Sequence, residues 1–399
     1  KGVVRKDVFQ RHAKLYAIGW NNEWRSDDGW RASADISYSK TDRNELNIES
    51  YAGTGRAGVG AVDQIDFTSG RNGTEFSNTL DYSDYTTILL TSPQGWGGTQ
   101  VGSDGTTILG GQDGYYNNRI IDDKLWQLRG EVGKDFETSF ISNVQAGINY
   151  TTRSKKLVPD EFFLGLVANT DGTVSIPVPQ EFRLGVSNTF LGLGPMIAYD
   201  PLELIDAGLY NLVPNPYGDV VVKSYFIKEK LLTPYIQANI RADLGETQLT
   251  GNFGVQAIFT DQRSIGASAI FLGTNPNGSP NIGAAVNNSK ETYVDVLPSL
   301  NLSFRMPNDF VIRFAAGRQI IRSRLDDLRN SLKYGYTYVG PVGNQVAFVT
   351  GDSGNPKLRP WRANAIDLTF EKYWGSKGYI AAQFFWKDLK SYVYNLPTN

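Results

Sequence analysis

Aromatic residues set among glycine and aspartate are the side chains here whose types and spacing could do chemistry. They are Trp96 in Gly95-Trp96-Gly97-Gly98, the pair Tyr115-Tyr116, and the alternating set Tyr334, Tyr336 and Tyr338. A flat ring offers its face to the C–H surface of a sugar, or to aromatic groups of a ligand. Asp113, Asn117 and Asn118 stand beside the tyrosine pair and can meet a ligand's hydroxyls. Rings in long loops also pack on one another, so plain loop packing explains the same residues equally well.

Chemistry beyond binding has little to build on. The chain lacks Cys and has one His, His12, which removes thiolate chemistry, zinc–thiolate sites and any histidine-cluster metal centre. No carboxylate pair, phosphate loop or nucleophile–base pair stands out. Gly110-Gly111-Gln112-Asp113-Gly114 is similar to a calcium-binding glycine–aspartate turn, but a single imperfect copy suits an ordinary loop better. No catalytic residue, metal or cofactor is therefore expected. A formal net charge of −2 over 399 residues supplies no basic stripe for nucleic acid.

The elements that must carry these residues are strands. Ile366, Leu368, Phe370 and Trp374 share one parity and Asp367, Thr369 and Glu371 the other. After Gly375-Ser376-Lys377-Gly378 the apolar row resumes as Ile380, Ala382, Phe384 and Trp386. Side chains alternate across a strand, so this stretch reads as an antiparallel hairpin with one greasy face. Tyr16, Ile18, Trp20 and Trp24 lead through a turn to Trp30, Ala32, Ala34, Ile36 and Tyr38 in the same way. Similar pairs are expected over 124–150, 236–259 and 294–316, ten strands in five hairpins. Between the hairpins, residues 43–122, 154–225, 260–290 and 319–361 are expected to be long loops. Tryptophans at the turn edges suit a membrane interface, where an indole has one wet and one dry side.

Short turns on one side and long loops on the other are the pattern of outer-membrane barrels, whose strands show alternation over only ~10 residues. The opposite parity carries Asp35, Arg129, Glu131, Arg153, Arg241, Arg313, Asp367 and Glu371, read as partners lining a wet lumen rather than as a site. A secreted β-rich carbohydrate-active protein would share the composition, but not the alternation of loop lengths.

Several segments together resemble the barrel of a TonB-dependent outer-membrane receptor. They are Pro234-Tyr235-Ile236-Gln237-Ala238-Asn239, Gly251-Asn252-Phe253-Gly254-Val255-Gln256, Leu297-Pro298-Ser299-Leu300-Asn301-Leu302, Val311-Ile312-Arg313-Phe314, Asn355-Pro356-Lys357-Leu358-Arg359-Pro360 and Phe384-Phe385-Trp386-Lys387-Asp388-Leu389. Where the family continues into Arg-Pro, this chain reads Arg322-Ser323-Arg324. The resemblance implies an all-β, antiparallel transmembrane barrel of about 22 strands, of which residues 1–399 form an interior part. The plug domain and the TonB-contacting segment are expected to lie outside it. It further implies a cell outer-membrane location, lipid and the TonB complex as partners, and active import of a scarce extracellular nutrient. The Leu-Pro-Ser-Leu-Asn strand favours an oligosaccharide, with a ferric siderophore or a passive channel as alternatives. Its expected contacts are Trp96, Tyr115, Tyr116, Tyr334, Tyr336 and Tyr338.

Overall fold

The structure is a computed structural model that describes residues 2–394 apart from 138–139, 190–191, 277, 279 and 340–345; at 280 and over 333–352 it describes backbone alone. Ten long strands follow one another in chain order through a single antiparallel sheet. They are β1 (Val4–Arg25), β2 (Trp30–Gly53), β3 (Gly114–Asp135), β4 (Ile141–Leu166), β5 (Tyr225–Leu244), β6 (Thr247–Thr274), β7 (Pro280–Met306), β8 (Phe310–Ile321), β9 (Trp361–Trp374) and β10 (Gly378–Ser391). Five short connections join them pairwise, at 26–29, 136–140, 245–246, 307–309 and 375–377. In the fourth, Asn308 and Asp309 adopt left-handed backbone, and Gly375 (φ 58°) does the same in the last. No helix among the described residues is long and apolar enough to cross a membrane.

The two parities separate as expected. Trp20, Ile36, Leu128, Ile148, Ile236, Phe253, Val296, Ile366 and Phe384 stand bare on one face; Leu302 and Phe370 share it, half-buried among neighbours. On the other face polar groups pair across strands: Asn301 donates to Asn252 (2.9 Å) and Asn239 to Asn143 (3.0 Å). Arg313 bridges Glu371 (2.9 Å) and Arg153 bridges Asp123 (2.6 Å). No second sheet covers the apolar row, so the sandwich arrangement is excluded among the described residues. An apolar row open on one side and hydrogen-bonded side chains on the other is what a strand between lipid and a wet lumen requires. β1 and β10 end the sheet and do not pair with each other.

The strands are longer than the alternation indicated. β1 to β7 have 20 to 28 residues, whereas ~10 tilted residues cross an outer membrane. Residues 43–53, 114–123, 154–166 and most of 260–290 are therefore strand rather than loop, and Phe162-Phe163-Leu164 belongs to β4. The β6–β7 connection shrinks to residues 275–279. Above the apolar band neither face meets lipid, so nothing enforces alternation there, while backbone pairing simply continues. The genuine long connections span 54–113, 167–224 and 322–360.

The largest core also lies above the band. Val8, Ile48, Tyr116 and Phe162 are consecutive cross-strand neighbours on the lipid-row face. Residues of the long connections close over that face, with Ile88, Leu90, Val178, Ile197 and Leu204 fully buried against Val4 and Ile48. On the lumen face, Leu325 and Leu328 pack on Tyr225 and Ile227. Phe253→Arg should cost about 2–4 kcal/mol in urea unfolding of the protein folded in bilayers, since the charge faces hydrocarbon. Asn252→Arg, one residue away on the wet face, should leave the midpoint almost unchanged.

Candidate functional site

A cavity of about 360 Å³ opens on the lumen face above the apolar band. Its wall comes from lumen-parity residues of three strands: Arg119 of β3, Leu157 and Pro159 of β4, and Tyr225 of β5. Two pieces of long connection complete it. Asp219, Val222 and Lys223 come from a short helix at Gly218–Val221 and the residues after it, and Asp326, Arg329 and Ser331 from the connection after β8. Apolar surface from Leu157, Pro159 and Val222 thus meets three cations and two carboxylates.

Most of these charges are fixed by partners. The Lys223 ammonium donates to both oxygens of Glu161 (2.6 Å each), a carboxylate fully buried beneath it. Lys155 donates to Asp326 (2.5 Å), and the Tyr225 hydroxyl donates to the same oxygen. Burial alone would raise the Asp326 carboxyl, but the Lys155 and Tyr225 hydrogen bonds outweigh it and hold the group below its ordinary range. Burial and the same carboxylate push the Tyr225 hydroxyl far up, so it remains a donor. Arg119 is exposed toward the cavity and has no side-chain partner among the described residues. The arrangement can bind a polar ligand through one uncommitted guanidinium and a ring edge. It offers no nucleophile–base pair, and no group of His, Cys, Asp and Glu among the described residues could hold a metal.

Of the expected aromatics, Tyr115 adjoins this cavity. Its hydroxyl donates to Glu161 and accepts from Asn215 (2.8 Å). Its ring lies 5.7 Å from Phe163, which in turn meets Tyr217 edge-on. Tyr116 faces the opposite way, edge-on to Phe162 and against the main core, because neighbours in a strand point to opposite faces. Trp96 is partly exposed and edge-on to Tyr51, with ring centroids 4.7 Å apart. Tyr334, Tyr336 and Tyr338 share one parity of a strand at Leu332–Val339, paired with Val346–Ser353; their side chains lie outside the described residues.

A buried ion pair in the connection that carries Trp96 was not apparent from sequence. Arg56 and Asp113 form a fully buried ion pair (2.5 Å). The Arg56 guanidinium also donates to the carbonyls of Val174 (2.9 Å) and Gly111 (3.0 Å), and Asp113 accepts from the Leu166 amide (2.8 Å). Burial pushes the Asp113 carboxyl upward, against the pull of Arg56. Gly110 and Gly111 are left-handed, and a Cβ on either would strike the backbone of Gly172 or Gly95. The glycine–aspartate run is thus a packing seam between two connections and the end of β4, with its carboxylate committed to arginine.

A family model described as TonB dependent receptor-like, beta-barrel matches residues 64–399. Among solved structures the chain is similar to a double mutant of the Serratia marcescens hemophore receptor HasR, determined in complex with its hemophore HasA and heme. The identity is 10%, the match covers 94% of this chain and 45% of that one, and the TM-score is 0.31. The chain thus spans less than half the length of that receptor. No curated protein sequence matches it.

Two outcomes are expected from this geometry. Arg56→Ala strands a buried carboxylate and should destabilise the seam by about 3–5 kcal/mol, read as faster protease cleavage within 54–113. Asp326 has a folded-state pKa below its unfolded one, so its contribution is full above the ordinary carboxylate value of about 3.9 and is lost as pH falls through the lowered folded value. Amide exchange over 325–331 should therefore stay slow at pH 5 and accelerate only in stronger acid. Asp326→Asn should abolish that pH step.

Proposed function

The chain belongs to the TonB-dependent receptor-like β-barrel family, proteins of the bacterial outer membrane, and on that premise we propose that it is part of a barrel that actively imports a scarce nutrient. The observation that carries this reading is the position of the cavity. It lies on the lumen face, above the lipid-facing band and beneath the long connections, where a ligand arriving from outside would first be held. The short turns at the other end leave no material from which to build a pocket.

The ligand we propose is an oligosaccharide. Trp96 and Tyr115, together with the tyrosines at 334, 336 and 338, would supply rings for sugar faces; Arg119, Asp219 and Asn215 would meet hydroxyls. Tyr116 would act from behind, holding β3 in place. Energy would reach the barrel through the TonB complex and a plug supplied by sequence outside residues 1–399. A ferric siderophore is the alternative ligand, and a passive channel the alternative mode of passage.

The test is ligand binding and uptake on whole cells that produce the full-length receptor. Removing TonB should abolish uptake while binding persists; persistent uptake would indicate a passive channel. Trp96→Ala should weaken oligosaccharide binding by a factor of roughly three to ten, the worth of one ring contact. Unchanged binding at normal surface levels would leave Trp96 as loop packing. Binding of an iron chelate but of no oligosaccharide would select the siderophore.

A further inference from the structure

Three like charges stand side by side on the outer face of the sheet. Lys228 of β5 is directly opposite Arg263 of β6, which is directly opposite Lys290 of β7. All three have the lipid-row parity and are exposed. Like charges directly opposite one another destabilise a sheet, and here three occur in a single cross-strand row. The next row toward the membrane adds Lys230 and Asp261; among the described residues Asp261 answers only Lys290, at 3.1 Å. Arg263 is steadied by Asn288 (3.1 Å) and meets no carboxylate among the described residues. Four cations and one anion thus line a shallow groove of about 420 Å³.

The position of this row indicates what would neutralise it. One row further down, Leu232, Phe259 and Val294 are consecutive neighbours and form the exposed upper rim of the apolar band. Four residues separate Leu232 from Lys228, about 13 Å along a strand and roughly 9 Å in height at the usual tilt. That is headgroup depth, just outside the hydrocarbon. The inner face of the same strands is closed by the chain's own residues: Ile227 packs on Leu325 and Leu328, and Gln262 donates to the Pro356 carbonyl (2.7 Å). Among the described residues, the outer face is left without a partner.

We propose that Lys228, Lys230, Arg263 and Lys290 bind the phosphate groups of anionic lipids in the outer leaflet. An ammonium or guanidinium meets a phosphate oxygen with a charge-assisted hydrogen bond. A lipid whose acyl chains lie against Leu232, Phe259 and Val294 presents its phosphates at the height of the basic row. Such a lipid relieves the repulsion and fixes the depth of the barrel in the membrane. The proposal rests on the outward parity of the lipid row and is independent of what the lumen binds.

The experiment uses the full-length receptor in dodecyl maltoside micelles, titrated with bis-phosphorylated lipid A, dephosphorylated lipid A or inorganic phosphate. The wild-type receptor should bind the bis-phosphorylated lipid far more tightly than the dephosphorylated one. The triple variant Lys228→Gln, Arg263→Gln, Lys290→Gln should lose roughly 100-fold in that affinity, from about fivefold for each charge removed. In lipid-free micelles the same variant should melt no lower than wild type, because it relieves a like-charge row, so lost binding cannot be assigned to misfolding. Lys377→Gln, in the turn at the other end of the barrel, serves as the control and should bind normally. Equal affinity for the two lipids, or full competition by inorganic phosphate at the same concentration, would overturn the proposal. So would a triple variant that still binds the bis-phosphorylated lipid like wild type.

Discussion

Backbone pairing in a medium without water is the constraint on which the rest of this structure depends. An amide or carbonyl facing hydrocarbon must find its partner in a neighbouring strand, because lipid offers none. That requirement makes the sheet continuous from β1 to β10, with each strand antiparallel to the next. Once the ladder exists, it fixes side-chain direction by parity, and one face must then suit lipid along the whole width. The register between β1 and β2, β2 and β3, and β3 and β4 runs without a break over 20 or more residues. An uninterrupted register carries the same parity from the membrane into the extracellular ends. Residues 30 Å apart along a strand therefore share a face, and the position of each loop contact follows from it.

Where two solvents act on the strand, its pattern was legible in the sequence. Ile36 against Asp35 and Phe253 against Asn252 needed only the alternation to be placed. Above the band, Asp261-Gln262-Arg263-Ser264 gives no alternating signal, although all four residues are paired strand. Gln262 and Ser264 are buried there by the chain's own connections, and Asp261 and Arg263 face outward. Both faces carry polar residues for different reasons, so a reading that seeks greasy against wet sees a loop. The same loss hid the opposite orientations of Tyr115 and Tyr116: as loop residues they form a cluster, whereas as strand residues they cannot. Arg56 and Asp113 lie 57 positions apart, at the two ends of one connection, and nothing local at either end announces the pair. The lumen cavity escaped sequence reading for the same reason, since residues 218–224 and 325–331 meet only once β4 and β5 have brought them together.

The last long connection shows how such a cavity can be both built and responsive. Four ion pairs tie it and the start of β9 to the inner wall: Lys155 to Asp326 (2.5 Å), Glu229 to Arg322 (2.6 Å), Glu291 to Arg359 (3.0 Å) and Asp295 to Arg362 (2.5 Å). Arg322 and Arg359 also flank the ring of Tyr293, at 6.0 and 5.5 Å from its centroid. Any one exposed pair contributes little, typically less than about 1 kcal/mol. Several pairs that share a wall act differently, because displacing the connection breaks them together. Asp326 is the exception in being shared: it is at once an anchor to Lys155 and part of the cavity lining. A ligand that competed for Asp326 or Tyr225 would loosen the connection at the point where it closes over the lumen. One that bridged Arg119 and Arg329 would instead draw the strand wall and the connection together. On the proposed reading, a ligand in the cavity would therefore be coupled to the position of the connection through the same few charged groups.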